Sequence, residues 1–318
     1  MENTNKNTMK GLVLVLIATF FWATMGITSQ NLNGANLTSI QVAFTRCLQA
    51  AVFTTIVLGF KNRQAFKVDW KGFLFCSLYG IIGFGLAFAL FSLTVERLPI
   101  AVATVLMFSN PIWVTLFGKL FFNDHVGMKK LITISTCVFG CMLIINIFAP
   151  GNSDLNFFGV ILGLLSGITF ASQLVIPRFA DGKYSNDTLL LYGFWAATIF
   201  LGFFSDIPTM NYSIVHSSDL MYTIMNLLAI GFLSTYIANS YYIKSTEYIG
   251  TTLPSILVAF EPIFAAVLAF FVLGETIEPI QIFGAFLVVV SVVVMQVDEV
   301  PAFLKKLMPK KETSKVNN

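Results

Sequence analysis

Charged residues are scarce in this chain, and histidine is nearly absent. Only 11% of the 318 residues are charged, whereas an average soluble domain has about 25%. The two histidines, His125 and His216, fall in predicted loops and have no second metal ligand at helical spacing. The sequence therefore excludes an ordinary soluble protein, and we predict no metal and no cofactor.

Motifs for nucleotide binding and for hydrolysis are also missing. The sequence has no phosphate-binding glycine loop, no dinucleotide fingerprint and no nucleophile elbow. ATP-driven pumping by this chain alone is excluded, and no nucleic-acid partner is predicted. An intramembrane enzyme would need paired acids or a His/Ser/Asp set deep in the apolar runs, where only Glu261 lies. We predict that the protein is not an enzyme.

Cysteine is rare and shows no pattern that points to chemistry. All four cysteines fall inside apolar runs, without the spacing of a metal site or a disulfide framework. We interpret them as small buried hydrophobic residues. They are Cys47, Cys76, Cys137 and Cys141.

Apolar residues make up 56% of the chain, and its mean hydropathy is +0.80. They form runs of membrane-spanning length separated by short polar segments. We therefore predict an all-α integral membrane protein with ten transmembrane helices. The runs cover residues 11–30, 38–59, 72–94, 99–122, 128–149, 156–178, 188–205, 219–246, 251–274 and 279–297.

The distribution of lysine and arginine predicts the orientation of these helices. With the N-terminus inside, fifteen of these residues fall in cytoplasmic segments and only Arg97 falls outside. Basic residues are retained on the cytoplasmic side of membrane proteins. We predict that both termini are cytoplasmic, including a basic tail at 301–318 that is a candidate for contact with membrane lipid.

An internal repeat appears when the chain is shifted by 151 residues. Pro111 then falls on Pro262, and Asn110 falls on Glu261, so each repeat has a polar residue before a mid-helix proline. An odd number of helices in each half forces the halves into opposite orientations. We predict two inverted five-helix repeats, at 1–150 and 151–300, joined through the segment 149–154.

The run at 251–277 contains the most informative deviation from apolar composition. Glu261 lies near mid-membrane depth, where an ionisable side chain costs at least ~2.5–3.5 kcal/mol and normally faces protein or a watery cavity. Pro262 follows directly and cannot donate to the helical hydrogen-bond ladder, so we predict a bend there. Inverted repeats usually place the substrate site at the midplane, where such bent helices meet.

The chain resembles the drug/metabolite transporter superfamily, specifically its EamA branch of ten-helix carriers. The resemblance rests on FFWATMG at 20–26, Arg46, SNPIWVTLFGKLFFND at 109–124 and FEPIFAAVLAFFVLGE at 260–275. The first half departs from the family pattern, with Asn123-Asp124 where the second half has Gly274-Glu275. The resemblance implies a carrier fold with its fifth and tenth helices at the periphery, and it does not identify a substrate.

Three residues are the leading candidates for substrate contact, and each has a structural alternative. Glu261 could bind a cationic group or load a proton, or it could join helices. Asn110 could bind substrate or cap the carbonyls that Pro111 frees. Arg46 could recognise a carboxylate, pair with an internal acid or extend toward the interface. One intramembrane arginine is too few for phosphorylated substrates.

Further polar and aromatic residues recur in the helices predicted to line the cavity. Aromatic faces beside an acid would suit an ammonium group, although packing explains any single aromatic residue equally well. The additional candidates are Trp22, Trp113, Tyr79, Ser109, Ser172, Gln173, Tyr236, Asn239 and Tyr242. Gly159, Gly163 and Gly167 form a separate stripe of small residues, which predicts a close helix contact.

We therefore predict a secondary-active transporter of a small metabolite such as an amino acid or amine, working by alternating access around a midplane cavity. Proton coupling through Glu261 is a hypothesis. The alternatives are an uncoupled facilitative carrier and a non-transporting sensor or assembly protein. We expect a monomer or homodimer in a prokaryotic plasma (inner) membrane, with a small-molecule substrate and lipid as its partners.

Overall fold

The computed structural model describes residues 2–33, 37–98, 100–144, 156–209, 220–274 and 278–296, and these ranges contain helices and no strands. The first part consists of α1 (Glu2–Asn33), α2 (Ser39–Lys61), α3 (Trp70–Gly80), α4 (Ala87–Val95), α5 (Ile100–Met107), α6 (Asn110–Phe122) and α7 (Met128–Ile144). The second part consists of α8 (Phe157–Val175), α9 (Asn186–Gly202), α10 (Leu220–Leu228), α11 (Ala238–Ile249), α12 (Thr252–Leu257), α13 (Phe260–Leu273) and α14 (Pro279–Gln296).

Two of the predicted runs contain a π-helical segment instead of a break. Ile81–Leu86 joins α3 to α4, and Ala229–Ile237 joins α10 to α11. A shift of 151 residues along the chain places Ile81–Leu86 on residues 232–237, which are the last six residues of the second π segment. π segments widen one helical turn and are frequent at functional sites. The third and eighth predicted runs therefore share an irregularity at corresponding positions.

The α-helical pieces and their π segments follow the predicted apolar runs in order. Within the described residues, five helical stretches are long and apolar enough to cross a membrane, judged by length and composition. These are Asn7–Met25, Ser39–Lys61, Trp70–Val95, Phe157–Ala180 and Thr252–Val272. The predicted linker at 149–154, the tail at 301–318, His216 and Glu275 lie outside the described residues.

Local sequence signals explain where several helices begin. The Thr38 hydroxyl accepts from the backbone N–H of Gln41, and the Gln41 side chain accepts from the backbone N–H of Thr38. This reciprocal arrangement is a capping box, which satisfies two free N–H groups at the start of α2. Asp69 and Asn156 cap α3 and α8 through their side-chain oxygens.

Small residues allow three close contacts between helices. In the predicted glycine stripe of α8, a Cβ atom added to Gly167 would lie 2.8 Å from the carbonyl oxygen of Leu106 at the end of α5. The predicted close approach is therefore confirmed. Gly80 of α3 packs directly on Gly193 of α9. The α7 and α14 helices meet at a similar glycine pair, so the fifth and tenth predicted runs pack on each other.

The core lies where α1, α2, α8, α9 and α11 converge, and large apolar side chains remain exposed on the outer helices. Among these are Phe283 and Phe286 on α14, which are 54% and 60% exposed. An outward apolar surface is expected where the surroundings are lipid. All four cysteines are buried and form no disulfide, as their positions in apolar runs predicted.

Candidate functional site

The helix of the ninth predicted run is interrupted just before Pro262, between α12 and α13. The backbone N–H groups of Ala259 and Glu261 bond three residues back, to Ile256 at 3.0 Å and Val258 at 2.8 Å. This tighter pattern replaces the α-helical ladder that the proline cannot continue. Glu261 consequently lies in the first turn of a new helix, in the middle of the run.

The fourth predicted run is interrupted in the same way, between α5 and α6. Ser109 donates its N–H to Leu106 at 3.2 Å, and Pro111 occupies the first turn of α6. The structure thus shows a helix break at each of the two prolines, as the sequence predicted, and both breaks come a few residues before the proline. Asn110 and Glu261 hold equivalent positions after these breaks.

A small, deep cavity lies between α1, α2, α4, α5, α8, α11 and α13, and we name it the inner pocket. It contains about 40 Å³ of space open to water, which corresponds to roughly one or two water molecules. Four of the candidates from the sequence line it, namely Trp22, Arg46, Asn239 and Glu261. The other lining residues are Met25, Ala87, Phe88, Phe91, Met107 and Phe170.

Arg46 is held on two sides within this pocket. Its Nε atom donates to the Oγ1 atom of Thr235 at 2.9 Å, and its guanidinium carbon lies 4.1 Å from the ring centre of Phe88. Thr235 in turn donates to the carbonyl oxygen of Ile230, five residues earlier in the π segment, at 2.7 Å. Only 8% of the residue is exposed. In this buried position, one hydrogen bond and one cation–π contact fix the guanidinium.

Glu261 contributes the acidic side chain of the inner pocket. Within the described ranges its carboxylate has no hydrogen bond and no ion pair, and it does not pair with Arg46. A carboxylate that is partly buried beside protein dipoles normally has such partners. The pocket thus holds one basic and one acidic side chain that are not joined by an ion pair within the described ranges.

Asn239 adds a polar acceptor to the same pocket. Its Nδ2 atom donates to the carbonyl oxygen of Thr235 at 2.7 Å. Its Oδ1 atom is buried and has no partner in the described part of the chain. Buried polar atoms are almost always satisfied in folded proteins, so an unsatisfied one is a reason to look for a ligand or water.

Three aromatic rings close one side of the inner pocket, and we name them the aromatic layer. Trp22 lies 5.0 Å from Tyr242 and 5.8 Å from Phe170, in edge-to-face arrangements. Phe170 and Tyr242 are stacked at 6.1 Å with nearly parallel planes. The three rings come from α1, α8 and α11, so the aromatic layer joins helices of both predicted halves.

A larger cavity of about 480 Å³ is lined by residues that follow Phe170 in α8 and Tyr242 in α11, and we name it the vestibule. Its size falls within the ~300–1,000 Å³ range of small-molecule sites. Gln173 lines it and lies about one turn along α8 from Phe170 of the inner pocket. The lining residues are Asp124, Gln173, Leu174, Pro177, Arg178, Gly182, Tyr184, Asn186, Leu189, Ile243, Thr246, Glu247, Ile249, Gly250, Thr251, Thr252 and Leu253.

Gln173 links the vestibule wall to the first π segment. Its Nε2 atom donates to the carbonyl oxygen of Gly83 at 2.6 Å, while its Oε1 atom is buried without a partner among the described residues. Each π segment therefore binds a candidate residue of the opposite predicted half, Gln173 in one case and Arg46 in the other.

An ion pair at the vestibule was not predicted from the sequence. Arg178 donates from both terminal nitrogens to the two carboxylate oxygens of Asp124, at 2.7 and 2.8 Å. These hydrogen bonds hold the pKa of Asp124 below its ordinary value. Asn123 adopts a left-handed conformation that ends α6, and Gly118 leaves room for the Asp124 carboxylate. The available signal was an acid and a base at the ends of two apolar runs, on the side that the sequence predicts to be cytoplasmic.

The remaining candidates line neither the inner pocket nor the vestibule. Ser109 accepts from the Trp113 indole at 3.0 Å and donates to the Leu106 carbonyl at 2.6 Å, so the two candidates bond each other. Asn110 and Tyr79 are buried, and each has a side-chain oxygen without a partner in the ranges described. The remaining candidates are Ser172, which donates to Thr169, and Tyr236, which packs on Phe232.

The described residues contain no group of three or more histidine, cysteine or acidic side chains that could hold a metal ion. The chemistry available at the two cavities is therefore hydrogen bonding, charge pairing and aromatic contact.

Comparison with known proteins gives a family match and two informative relatives. The model of the EamA-like transporter family matches residues 9–146 and, separately, 157–297. The chain is 25% identical over 298 residues to the uncharacterized inner membrane transporter YicL of Salmonella typhimurium, covering 92% of this chain and 97% of that protein. It is 21% identical over 189 residues to the pseudopaline exporter CntI of Pseudomonas aeruginosa, covering 59% and 64% respectively.

A solved structure shares the fold. A protein of known crystal structure, 12% identical, superposes with a TM-score of 0.74 and covers 94% of this chain and 99% of its own. At this identity the likeness concerns the arrangement of helices alone.

Proposed function

The chain belongs to the EamA-like transporter family, and we propose that it is a secondary-active transporter that moves a small amino acid, amine or related metabolite by alternating access. It is an integral membrane protein of a family of transporters, not an enzyme. We place it in a prokaryotic plasma membrane, because the relative that it matches over most of its length is named an inner membrane transporter.

The arrangement of the two cavities carries this proposal. The structure contains a wide vestibule and a smaller pocket with buried polar and charged side chains. In this proposal the vestibule leads toward the pocket, and the aromatic layer is the barrier between them. In an open pore, the two cavities would be connected. In an ordinary apolar helix core, the inner pocket would not contain ionisable side chains. A substrate path with a closed barrier is the arrangement that alternating access requires.

The inner pocket is too small for a metabolite in this conformation, so binding requires helix movement. The breaks before Pro111 and Pro262 and the two π segments supply points at which helices can bend without losing a complete ladder of hydrogen bonds. These points lie in the third, fourth, eighth and ninth predicted runs, whose rocking would open the pocket to either side.

The repeat supports two halves of related structure, at 1–150 and 151–300. The family matches each half separately, and both the helix breaks and the π segments recur at a spacing of about 151 residues. With five membrane crossings in each half, the halves are inverted and both termini are cytoplasmic. On this topology Arg178 and Glu247 are on the cytoplasmic side, so the vestibule faces inward.

Proton coupling is part of the proposal and rests on Glu261. A carboxylate without a fixed partner can exchange a proton for a cationic group of the substrate. The proton and the cationic group of the substrate cannot occupy the same carboxylate oxygens of Glu261 at once. Binding of either would therefore displace the other, and this competition would couple their movements. An uncoupled carrier would bind substrate equally well whether Glu261 is protonated or not.

Counterflow in proteoliposomes tests the proposal. Vesicles containing purified protein are loaded with one unlabelled compound from a panel of leucine, phenylalanine, putrescine, choline and uridine, and uptake of its labelled form is followed. Transient accumulation that empty vesicles do not show supports a carrier. Accumulation driven by a pH gradient and abolished in Glu261→Gln supports coupling, whereas equilibration alone supports a facilitative carrier. Binding without flux would overturn the proposal in favour of a sensor.

A further inference from the structure

The inner pocket contains one guanidinium and one carboxylate that face the same space without forming an ion pair. Two opposite charges in a poorly solvated site normally contact each other, because an unpaired buried charge is costly. The guanidinium instead contacts Thr235 through a hydrogen bond and Phe88 through a cation–π interaction.

Arg46 presents a fixed hydrogen-bonding edge to the pocket. Its Nε atom is occupied by Thr235, whereas its two terminal nitrogens have no hydrogen-bond partner in the described ranges. A planar guanidinium recognises a carboxylate through two parallel hydrogen bonds. The free edge is therefore suited to one carboxylate group.

The other polar side chains of the pocket, Glu261 and Asn239, offer hydrogen-bond acceptors. Among the residues that the structure describes, Glu261 has no hydrogen-bond partner, and the Oδ1 atom of Asn239 is buried without one. An ammonium group has three donors and no acceptor, and Trp22 adds an aromatic face nearby. Both acceptors and the indole suit a primary ammonium group.

The remaining lining is apolar, and two flexible methionines form part of it. Met25, Met107 and Phe91 surround the charged groups. Methionine adapts its shape to different ligands, so this lining accepts an apolar body of modest size.

On this basis, and building on the proposed transport function, we infer that the inner pocket selects zwitterions, with the carboxylate on Arg46 and the ammonium on Glu261 and Asn239. A ligand with both charges neutralises both side chains at once. A simple amine would leave Arg46 uncompensated, and a simple acid would leave Glu261 uncompensated. Sites with buried polar groups reject ligands that leave those groups unpaired.

Matched probes test this inference directly. Leucine is compared with 3-methylbutylamine, which lacks the carboxylate, and with 4-methylpentanoate, which lacks the ammonium group. Phenylalanine, phenethylamine and 3-phenylpropanoate form a second set with a larger body. Thermal stabilisation of the purified protein gives the apparent Kd of each probe. We expect at least one zwitterion to bind roughly tenfold or more tightly than both of its singly charged analogues.

Two variants assign each charge to one end of the ligand. Glu261→Gln should weaken zwitterion binding and remove the advantage over the acid, whereas Arg46→Gln should remove the advantage over the amine. A merely structural role would weaken all three probes equally. Glu96→Gln and Arg97→Gln are matched controls, because these residues form an exposed pair outside both cavities.

Equal or tighter binding of an amine or an acid would overturn the inference, and so would failure of all six probes to bind. Counterflow of putrescine, choline or uridine in that case would leave the transport proposal intact. Binding of the zwitterions without any counterflow would instead support the pocket and contradict transport.

Discussion

The Nε atom of Arg46 donates a 2.9 Å hydrogen bond to the Oγ1 atom of Thr235, across the boundary between the two predicted halves. Thr235 is itself bonded five residues back within a π segment. The position of the buried guanidinium therefore depends on the irregular turn of another helix. Straightening that turn during transport would move Arg46 and change the inner pocket.

Thr235→Val should weaken substrate binding while preserving side-chain shape. Losing one hydrogen bond to a charged donor costs about 1.5 kcal/mol, so we expect a roughly tenfold higher KM in counterflow. Thr54→Val is the matched control, since Thr54 is buried in the same helix as Arg46 and bonds only its own backbone, to Ala50. An equal rise in KM for both variants would contradict a positioning role for Thr235.

Asp124→Asn should destabilise the protein at neutral pH but not in acid. Because its two hydrogen bonds from Arg178 lower the folded-state pKa of Asp124 below 3.8, their stabilisation is present above that pH and lost as pH falls through the lowered pKa. We expect a loss of about 1 kcal/mol at pH 7, since the pair is partly exposed. Unfolding temperatures of both proteins should converge below pH 3.8. A gap between the two unfolding temperatures that stays constant with pH would contradict the prediction.

Phe170→Ala should open the aromatic layer and uncouple transport. With one ring removed, the inner pocket stays connected to the vestibule when it opens to the other side, and ions leak through. We expect gradient-driven accumulation to fall toward equilibration while counterflow continues. Phe194→Ala is the control, because Phe194 is fully buried against Phe84 and lines neither cavity. Each substitution costs about 3 kcal/mol of stability, so a general loss of stability would affect both variants alike. If the aromatic layer is a barrier, only the Phe170 variant should lose accumulation.

Gly80→Ala should strongly reduce the yield of folded protein. An added Cβ atom would overlap the carbonyl oxygen of Gly193, and this backbone cannot move aside as a flexible side chain would. Overpacking of this kind costs about 1–3 kcal/mol. Gly59→Ala, in open space on α2, should be neutral or stabilising. Chromatographic yield and unfolding temperature would show the difference, and normal behaviour of Gly80→Ala would refute the close contact.

Hydrophobic length and proline positions predict much of this fold. The order of the helices follows the apolar runs, and both mid-run prolines coincide with breaks. The π segments could not be predicted, because they contain no proline and depend on partners far along the chain, such as Gln173 for Gly83. A widened turn is stabilised by tertiary contacts, which a single sequence does not show.

The sequence was less informative about the cavities. It singled out Arg46, Asn239 and Glu261 because polar groups are rare in apolar runs, and the structure places them around one pocket. It gave no reason to choose Phe88 or Phe170, because phenylalanine occurs 33 times in the chain. It also grouped Ser109 and Trp113 with the pocket, although they bond each other outside both cavities. Composition identifies polar residues, but the packing of helices decides which of them share a space.

The burial of all four cysteines makes the native chain a ready background for mapping its orientation. A single thiol introduced at an exposed position would be the one that a membrane-impermeant maleimide reaches in intact cells. Lys71 and Glu96 are exposed and flank the two ends of the third predicted run. Labelling of Glu96→Cys but not of Lys71→Cys would place the Glu96 end of the third run outside the cell. This result would also orient the second and fourth runs, which precede and follow it in the chain.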